Sequence, residues 1–276
     1  MSTAHLLQQL KEADYVRYCA VLFAPEDKRQ ALTALSLFQA EIERIRDLVS
    51  EPLPGEIRLQ WWRDVFLGMR DSEAKANPLA AALLEARKTH VLPHVHFTDY
   101  LDAMEFDLYD DPMPSIGQFE GHMGETQSVF FQMAMQILSG TTPEDGDAAG
   151  HAGVAYGVTQ TLLNLRKQTA RRQTYVPAEL LAKRGVDDAT WRSGAAVTEI
   201  DAVIRDFVAF GETHLDAAQN SAQTLKKAAR TALLPMSICK PIFARVKADP
   251  TKFLKRFDGV GRLQVQWSMF KAAWRA

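Results

Sequence analysis

The sequence predicts an all-α protein with a single domain, and three observations support this prediction. Apolar residues recur at steps of three and four along most of the chain, which is the spacing of one face of an α-helix. No convincing stretch alternates with a period of two, the pattern that would indicate strands. No internal repeat or linker divides the 276 residues. We therefore expect one domain over 1–276, a bundle of about ten helices that could enclose a cavity.

Three helices are predicted in the N-terminal half. The first runs from Pro25 to Pro52, with apolar residues at steps of three and four. The second runs from about Gly55 to Met69 and carries enough apolar residues to be mostly buried. A longer helix is predicted from an N-cap at Ser115 to Leu138, with Gly140 as its stop signal.

Shorter helices are predicted towards the C-terminus. One starts at Pro143 and extends through Leu165, two weaker ones lie around 178–183 and 187–192, and a long one spans about Val197 to Lys227. Prolines then divide the chain into short helices. A final amphipathic helix carries an apolar stripe of Val260, Leu263, Trp267, Phe270 and Trp274.

Charge is distributed unevenly along the chain. The totals are 32 basic and 34 acidic residues, a net charge of −2, which argues against a nucleic-acid-binding protein. The basic C-terminal part, residues 226–276, holds 12 basic and 2 acidic residues, a net +10, which leaves −12 for the remainder. Such asymmetry is typical of a membrane-facing or partner-facing surface, although a solvated helical face has the same composition.

The cysteines and the N-terminus predict a reduced, cytoplasmic protein. Cys19 and Cys239 lie among apolar neighbours without a C-x-x-C pair, so we expect buried thiols. The N-terminus lacks the basic and apolar regions of a signal peptide. No apolar run approaches the roughly 18 residues of a membrane span, so any contact with the inner face of the membrane would be peripheral.

Common catalytic and metal signatures are missing from the sequence. It contains no P-loop, no G-x-S-x-G and no H-E-x-x-H. His90, His94 and His96 lie close together, but Pro93 interrupts helical spacing, so a surface turn is favoured over a zinc site.

Two polar sets remain as candidates. His122, Glu125 and Gln127 lie in one helical segment and would form either a polar cavity wall or a hydrogen-bonded core pair. The second set holds Glu43, Asp47 and Glu51 at steps of four, which would align three carboxylates along one helix face for Mg²⁺. Arg44 and Arg46 are interleaved with these acids and would neutralise them in the alternative interpretation, a solvated charged face.

The order of several segments resembles squalene and phytoene synthases. The similarity covers roughly residues 14–225 and rests on segments that are individually weak but specific in their order. They are 18–25 (YCAVLFAP), 46–52 (RDLVSEP), 106–108 (FDL), the helix around Gly124, and 157–177, which ends in RRQTYVP. The resemblance implies an isoprenoid-synthase fold, an all-α bundle with a central cavity.

In that family two acid-rich motifs face each other and hold Mg²⁺ ions that bind prenyl diphosphates, because diphosphate leaves only when its charge is neutralised. This sequence departs from both motifs. At the first motif only Asp47 remains, and at the second Asn164 and Gln168 stand where aspartates are expected. Arg166 and Lys167 lie between these two amides, which are far poorer Mg²⁺ ligands than carboxylates.

A subgroup of the family fits better. Residues 55–63 (GEIRLQWWR), and Leu165-Arg166 before the basic run, resemble the squalene/phytoene-synthase-like assembly factors of respiratory complex I and their alphaproteobacterial relatives. The resemblance implies a non-catalytic protein, without a cofactor, that assists complex I assembly or binds an isoprenoid or anionic lipid. Its partner would be a complex I subunit or an assembly intermediate.

The alternative is an active head-to-head prenyl transferase that uses Mg²⁺. Glu43, Asp47 and Glu51 would then hold the metal, and Asp47 is the candidate catalytic residue. In either case arginine forks and lysines suit a phosphate group, unless the basic cluster is only a solvated helix end. The candidate ligand-binding residues are Arg46, Arg58, Arg166, Lys167, Arg171 and Arg172. The large side chains Trp61, Trp62, Phe130 and Phe131 would fill the cavity or pack in the core.

Overall fold

The computed structural model describes residues 3–109, 111–141, 146–250, 252 and 259–275, and all regular elements in these ranges are helical. This confirms the all-α prediction. The helices are α1 (Thr3–Ala13), α2 (Tyr15–Leu22), α3 (Glu26–Glu43), α4 (Ile45–Leu48), α5 (Pro52–Phe66), α6 (Asp71–Ala76), α7 (Pro78–Thr89), α8 (His94–Ala103), α9 (Ile116–Met123), α10 (Val129–Ser139), α11 (Asp147–Ala170), α12 (Ala178–Lys183), α13 (Asp188–Ser193), α14 (Val197–Ser221), α15 (Lys227–Thr231), α16 (Cys239–Ala248) and α17 (Arg262–Arg275).

The core is built around aromatic rings from the first half of the chain. The Phe38 ring lies edge-on to Trp62, with 4.8 Å between ring centroids, and edge-on to Phe66 at 5.6 Å. Trp62, Phe130 and Phe131 are all buried, whereas Trp61 is half-buried and its indole donates a hydrogen bond to Glu73 at 2.9 Å. These large residues therefore pack in the core, as one of the two interpretations predicted.

The long helix predicted from Ser115 is confirmed and contains an irregularity. The Ser115 hydroxyl accepts a hydrogen bond from the Gln118 backbone N–H, and Gly140 ends the helix in the left-handed conformation at φ 73°. A π-helical turn, Gly124–Ser128, joins α9 to α10. Helix α11 packs against this turn at Gly153, where a Cβ atom would lie only 2.4 Å from the Ser128 backbone nitrogen.

The predicted helix from Pro25 to Pro52 is wrong in its last third. Helix α3 ends at Glu43, a turn at Arg44 leads into the short α4, and the backbone is extended at Val49. The turn keeps the Ile45 side chain in the core. Neither glycine nor proline marks this position, so the sequence carries no local signal for the break.

The C-terminal helices follow the predicted pattern with shifted ends. Helix α11 begins at Asp147, while the predicted start at Pro143 lies outside the described residues. Helix α14 ends at Ser221, earlier than Lys227. Both cysteines are buried free thiols, and burial raises the pKa of Cys239 to about 12. Among the described helices, none is long and apolar enough to cross a membrane.

Candidate functional site

A polar cleft of about 170 Å³ opens between α3–α4, the π-helical turn and α11. The segment after α11 closes it: Arg172 has a left-handed backbone at φ 62°, which turns the chain so that Gln173 and Tyr175 reach the cleft. The lining residues include three acids and three lysines or arginines. They are Glu43, Arg46, Asp47, Met104, Asp107, His122, Met123, Thr126, Gln127, Gly157, Gln160, Thr161, Asn164, Lys167, Gln168, Arg171, Gln173 and Tyr175.

Glu43, at the end of α3, is held in a buried network. Arg17 donates two hydrogen bonds to its carboxylate, at 2.7 and 2.8 Å, and also pairs with Asp14 at 2.9 Å. Gln127 and Gln39 donate to the same carboxylate at 2.9 and 3.1 Å. Burial alone would lower the pKa of Arg17, but Glu43 and Asp14 raise it well above its usual value. The Glu43 carboxylate is therefore engaged by the protein itself.

Asp47, in α4, is paired with two cations from the opposite wall. Its carboxylate contacts the Lys167 ammonium, and Arg171 Nη1 lies 2.5 Å from Oδ1. Burial alone would raise the pKa of Asp47, but hydrogen bonds from Lys167 and Arg171 outweigh burial and hold it below its usual value. The side chains are 27%, 46% and 26% exposed for Asp47, Lys167 and Arg171, so this group remains accessible to solvent and to a ligand.

The third acid, Asp107, is contacted by Tyr175 and His122. The Tyr175 hydroxyl donates to its carboxylate, and His122 Nε2 lies 3.4 Å away. Burial, followed by the nearby Asp107 charge, raises the pKa of Tyr175 well above its usual value, so this phenol stays protonated and remains a donor. Gln173 donates to the Tyr175 oxygen at 3.1 Å and fixes the ring at the base of the cleft.

The wall opposite Asp47 carries amides. Asn164 and Gln168, one helical turn apart on α11, both line the cleft. The Asn164 amide donates to the Gln160 carbonyl at 2.9 Å. Among the described residues, no hydrogen-bond partner reaches the Gln168 side-chain oxygen, which is buried. Of the two cations between these amides in the sequence, Lys167 crosses the cleft to Asp47, whereas Arg166 is exposed.

The π-helical turn decides which polar residues of the central helix face the cleft. His122 and Gln127 are five residues apart and both line it, the spacing of a π-helical turn. Glu125, predicted on the same face as His122, is exposed in a separate groove beside His96. The predicted three-residue wall is therefore correct for two members and wrong for Glu125, because the predicted i, i+3 spacing assumed an uninterrupted α-helix.

A sequence profile described as squalene/phytoene synthase matches residues 10–271. The chain belongs to the squalene/phytoene synthase family. It is 28% identical over 220 residues to the rat protein named NADH dehydrogenase (ubiquinone) complex I, assembly factor 6, covering 79% of this chain and 66% of that protein. It is 25% identical over 206 residues to presqualene diphosphate synthase of Rhodopseudomonas palustris, covering 73% and 72%.

A solved structure agrees with the fold expected for this family. A dehydrosqualene synthase in complex with ligand superposes with a TM-score of 0.82, covering 99% of this chain and 95% of that one, at 16% identity. The chain thus has the fold of these family members. It spans about two thirds of the length of the rat assembly factor.

The structure brings together only part of the predicted binding set. Arg46, Lys167 and Arg171 line the cleft, and Arg46 Nη1 also donates to the Val49 carbonyl at 3.1 Å. Arg58, Arg166 and Arg172 are exposed side chains outside it. Helical spacing alone does not distinguish Lys167, which lines the cleft, from its neighbour Arg166, which does not.

The predicted acidic ladder is interrupted. Glu43 ends α3, Asp47 lies in α4, and Glu51 is exposed on extended backbone before α5, so the three carboxylates do not share a helix face. The described residues contain no group of three or more His, Cys, Asp or Glu side chains arranged to hold a metal ion, and this includes His90, His94 and His96.

These side chains do not fit the Mg²⁺ cluster of an active family member. Mg²⁺ needs carboxylate oxygens that are free to coordinate it, in near-ideal octahedral geometry. Here Glu43 is held by Arg17, Asp47 by two cations, and Asp107 by Tyr175. A lysine and an arginine also point at the place where the metal would need further negative charge.

Asp107, Gln173 and Tyr175 line the cleft, and the neighbouring Arg17 holds Glu43, but none of these four was predicted as a site residue. Asp107 and Gln173 fall inside the family-like FDL and RRQTYVP segments, which is the one signal that could have identified them. Arg17 is 26 residues from Glu43 along the chain, and only the folded structure shows their contact.

Proposed function

We propose that this chain is a non-catalytic member of the squalene/phytoene synthase family that assists assembly of respiratory complex I. Its cleft would bind the phosphate or diphosphate group of an isoprenoid or anionic lipid through cations rather than through Mg²⁺. The observation that carries the proposal is the ion pair of Asp47 with Lys167 and Arg171. Two positive charges meet one negative charge there, so the trio keeps a surplus of one positive charge.

The size of the cleft also supports a binding role. Ligand sites for larger molecules usually measure about 300–1,000 Å³, whereas this cleft measures about 170 Å³. Arg17 and Gln127 separate it from an apolar pocket of only about 50 Å³ beside Phe130 and Phe131. This small volume supports binding of a headgroup rather than of two prenyl diphosphates placed for head-to-head condensation.

The role in complex I assembly rests on similarity. The rat assembly factor covers 79% of this chain, and the match to the family profile, residues 10–271, includes the cleft. A subunit or assembly intermediate of complex I is the proposed partner.

The sharpest test is the direction in which Asp47→Asn changes ligand binding. We expect the purified chain to bind inorganic pyrophosphate and farnesyl diphosphate equally well with Mg²⁺ and with a chelator. Asp47→Asn frees Lys167 and Arg171 and should tighten binding by about tenfold, while Lys167→Gln with Arg171→Gln should weaken it by at least as much. Calorimetric titration measures both effects.

Arg166→Gln with Arg172→Gln is the matched control, because it removes the same charge from neighbouring positions outside the cleft and should leave affinity unchanged. The active-transferase alternative predicts the opposite sign. Diphosphate release from farnesyl or geranylgeranyl diphosphate with Mg²⁺ and NADPH, abolished by Asp47→Asn, would show a catalyst and overturn the proposal.

The assembly role is tested in cells. Deletion of the gene should lower assembled complex I on native gels, and the wild-type gene should restore it. The double Lys167→Gln/Arg171→Gln variant should restore less than the control Arg166→Gln/Arg172→Gln variant. Complex I that assembles normally without the gene would contradict this role and would leave the cleft-binding result unaffected.

A further inference from the structure

Helix α17 has two apolar faces, and only one of them contacts the rest of the chain. Val265 and Met269, four residues apart, are buried on the inner face. Gln266 donates a hydrogen bond to the Tyr15 hydroxyl at 2.7 Å, and the Arg262 guanidinium lies 4.8 Å from the Tyr15 ring centroid. The helix is therefore anchored without using its remaining apolar residues.

The outer face carries four of the five residues of the predicted apolar stripe, whereas the fifth, Val260, lies before the helix and packs partly buried against the core. Leu263, Trp267, Phe270 and Trp274 are spaced by four, three and four residues, so they share one side of the helix. They are 81%, 61%, 51% and 82% exposed. The three aromatic rings form a continuous row, with 6.1 Å between successive centroids. We call these four residues the aromatic ridge.

A basic groove lies on the next side of the same helix. It measures about 580 Å³ and is bounded by α15, α16 and α17. Arg230, Lys240 and Lys271 contribute three positive charges, and none of the described residues that line it is an acid. Lys271 also lies 5.7 Å from the Trp267 ring centroid, so the groove and the aromatic ridge meet at this residue.

We infer that the aromatic ridge and the basic groove form a docking surface for an anionic lipid bilayer. Tryptophan is favoured at the boundary between headgroups and acyl chains, because one edge of its ring is polar and the rest apolar. Stable attachment of a helix lying in this boundary needs both apolar burial and attraction to anionic lipid. The aromatic ridge supplies the apolar surface, and the basic groove supplies the attraction to anionic lipid. The ridge and the three cations of the groove belong to the segment 226–276, whose net charge is +10.

Charge is what favours a bilayer over a second copy of this chain. Two copies meeting through this surface would bring together the three cations of the basic groove in each copy, whereas an anionic membrane is complementary to them. The inference rests on α17 and its neighbours alone, and it stands whether or not the cleft binds a phosphate group.

Flotation with vesicles tests this surface in the full chain. We expect binding to vesicles of phosphatidylcholine mixed with phosphatidylglycerol, weak binding to phosphatidylcholine alone, and loss of binding at high salt. Trp267→Gln with Trp274→Gln should weaken binding by at least about tenfold. Arg230→Gln, Lys240→Gln and Lys271→Gln together should weaken it by about a hundredfold, roughly fivefold for each charge.

Ile57→Gln is the matched control, because Ile57 is a 62% exposed apolar residue on α5, and its substitution should change nothing. A second measurement needs no variant: lipids brominated near the headgroup should quench tryptophan fluorescence of the wild-type chain. Equal binding by the ridge variant, or no quenching, would overturn the inference. So would dimerisation through α17 in sedimentation experiments without any vesicle binding.

Discussion

Glu43 and Asp47 lie only four residues apart and their side chains are about equally exposed, 29% and 27%, but the cations that pair with them differ in burial. Glu43 meets Arg17, whose side chain is 7% exposed and which is surrounded by further hydrogen bonds. Asp47 meets Lys167 and Arg171 at the open side of the cleft, where the groups keep contact with water. The same pairing of acid and base is therefore structural where the cation is buried, as Arg17 is, and available to a ligand where the cations are partly exposed, as Lys167 and Arg171 are.

The largest expected effect comes from removing Arg17, the buried cation that pairs with Glu43. Arg17→Met leaves the Glu43 carboxylate without its cation and should lower the free energy of unfolding by about 3 kcal/mol, the lower end of values for buried pairs because Glu43 keeps some exposure. Urea denaturation measures the loss. Adding Glu43→Gln should recover part of it, since the unpaired charge is then removed. No change in either variant would show that the network is not structural.

A second prediction concerns the close approach of α11 to the π-helical turn. Gly153 lets α11, which carries Lys167, approach the π-helical turn that carries Gln127. Gly153→Ala places a methyl group against the Ser128 backbone and should destabilise the fold by about 2 kcal/mol. Gly150→Ala is the control. Gly150 lies in the same helix, but a Cβ atom there would meet no neighbour within 4 Å, so this variant should stabilise the fold slightly. Equal melting temperatures for the two variants would contradict this packing.

Asp47→Asn should have a smaller effect on stability, at most about 1 kcal/mol, because partly exposed ion pairs contribute little. Its pH dependence has a defined sign. The lowered pKa of Asp47 means that its contribution is present above the unfolded pKa of about 3.9 and is lost as pH falls through the folded value. The wild-type and variant unfolding curves should therefore differ at neutral pH and converge in acid. A difference that grows in acid would refute the pairing.

The smallest effect on stability is expected at Arg172, which pairs with neither Glu43 nor Asp47. Arg172 has a left-handed backbone and an exposed side chain, so Arg172→Gly should relieve backbone strain. The more flexible unfolded chain offsets part of this gain, which leaves a net stabilisation of about 0.5 kcal/mol. Pyrophosphate affinity should stay the same in this variant. A clear loss of affinity would place Arg172 in the binding site after all.

Local patterns predicted the regular helices well. Ser115 and Gly140 mark the ends of the central helix, and α12 lies at the predicted residues 178–183. Caps and glycine stops act within one turn of the chain, so a single sequence contains them. The break after Glu43 was not predictable in this way, because neither glycine nor proline marks it.

The site was predictable only as far as its residue types. The replacement of acids by Asn164 and Gln168 and the neighbouring basic run were visible in the sequence. Which cation crosses to Asp47 depends on side-chain direction on α11, and the Arg17 contact joins distant parts of the chain. The sequence predicted the apolar stripe on the outer face of α17, but it did not predict that this stripe is exposed. Val265 and Met269, on another face, pack into the core and anchor the helix.

The π-helical turn at Gly124–Ser128 has a consequence for how relatives of this chain can vary in length. A π turn holds one residue more than the α-helical turn it replaces. Loss of a single residue there would convert the turn into a regular α-helical turn and leave α10 in nearly the same orientation relative to α9. Phe130 and Met133 would then stay in the core, whereas the five-residue spacing that brings both His122 and Gln127 to the cleft would be lost. Relatives can therefore be one residue shorter between Ser115 and Gly140 and keep this core, but they would present different polar side chains to the cleft.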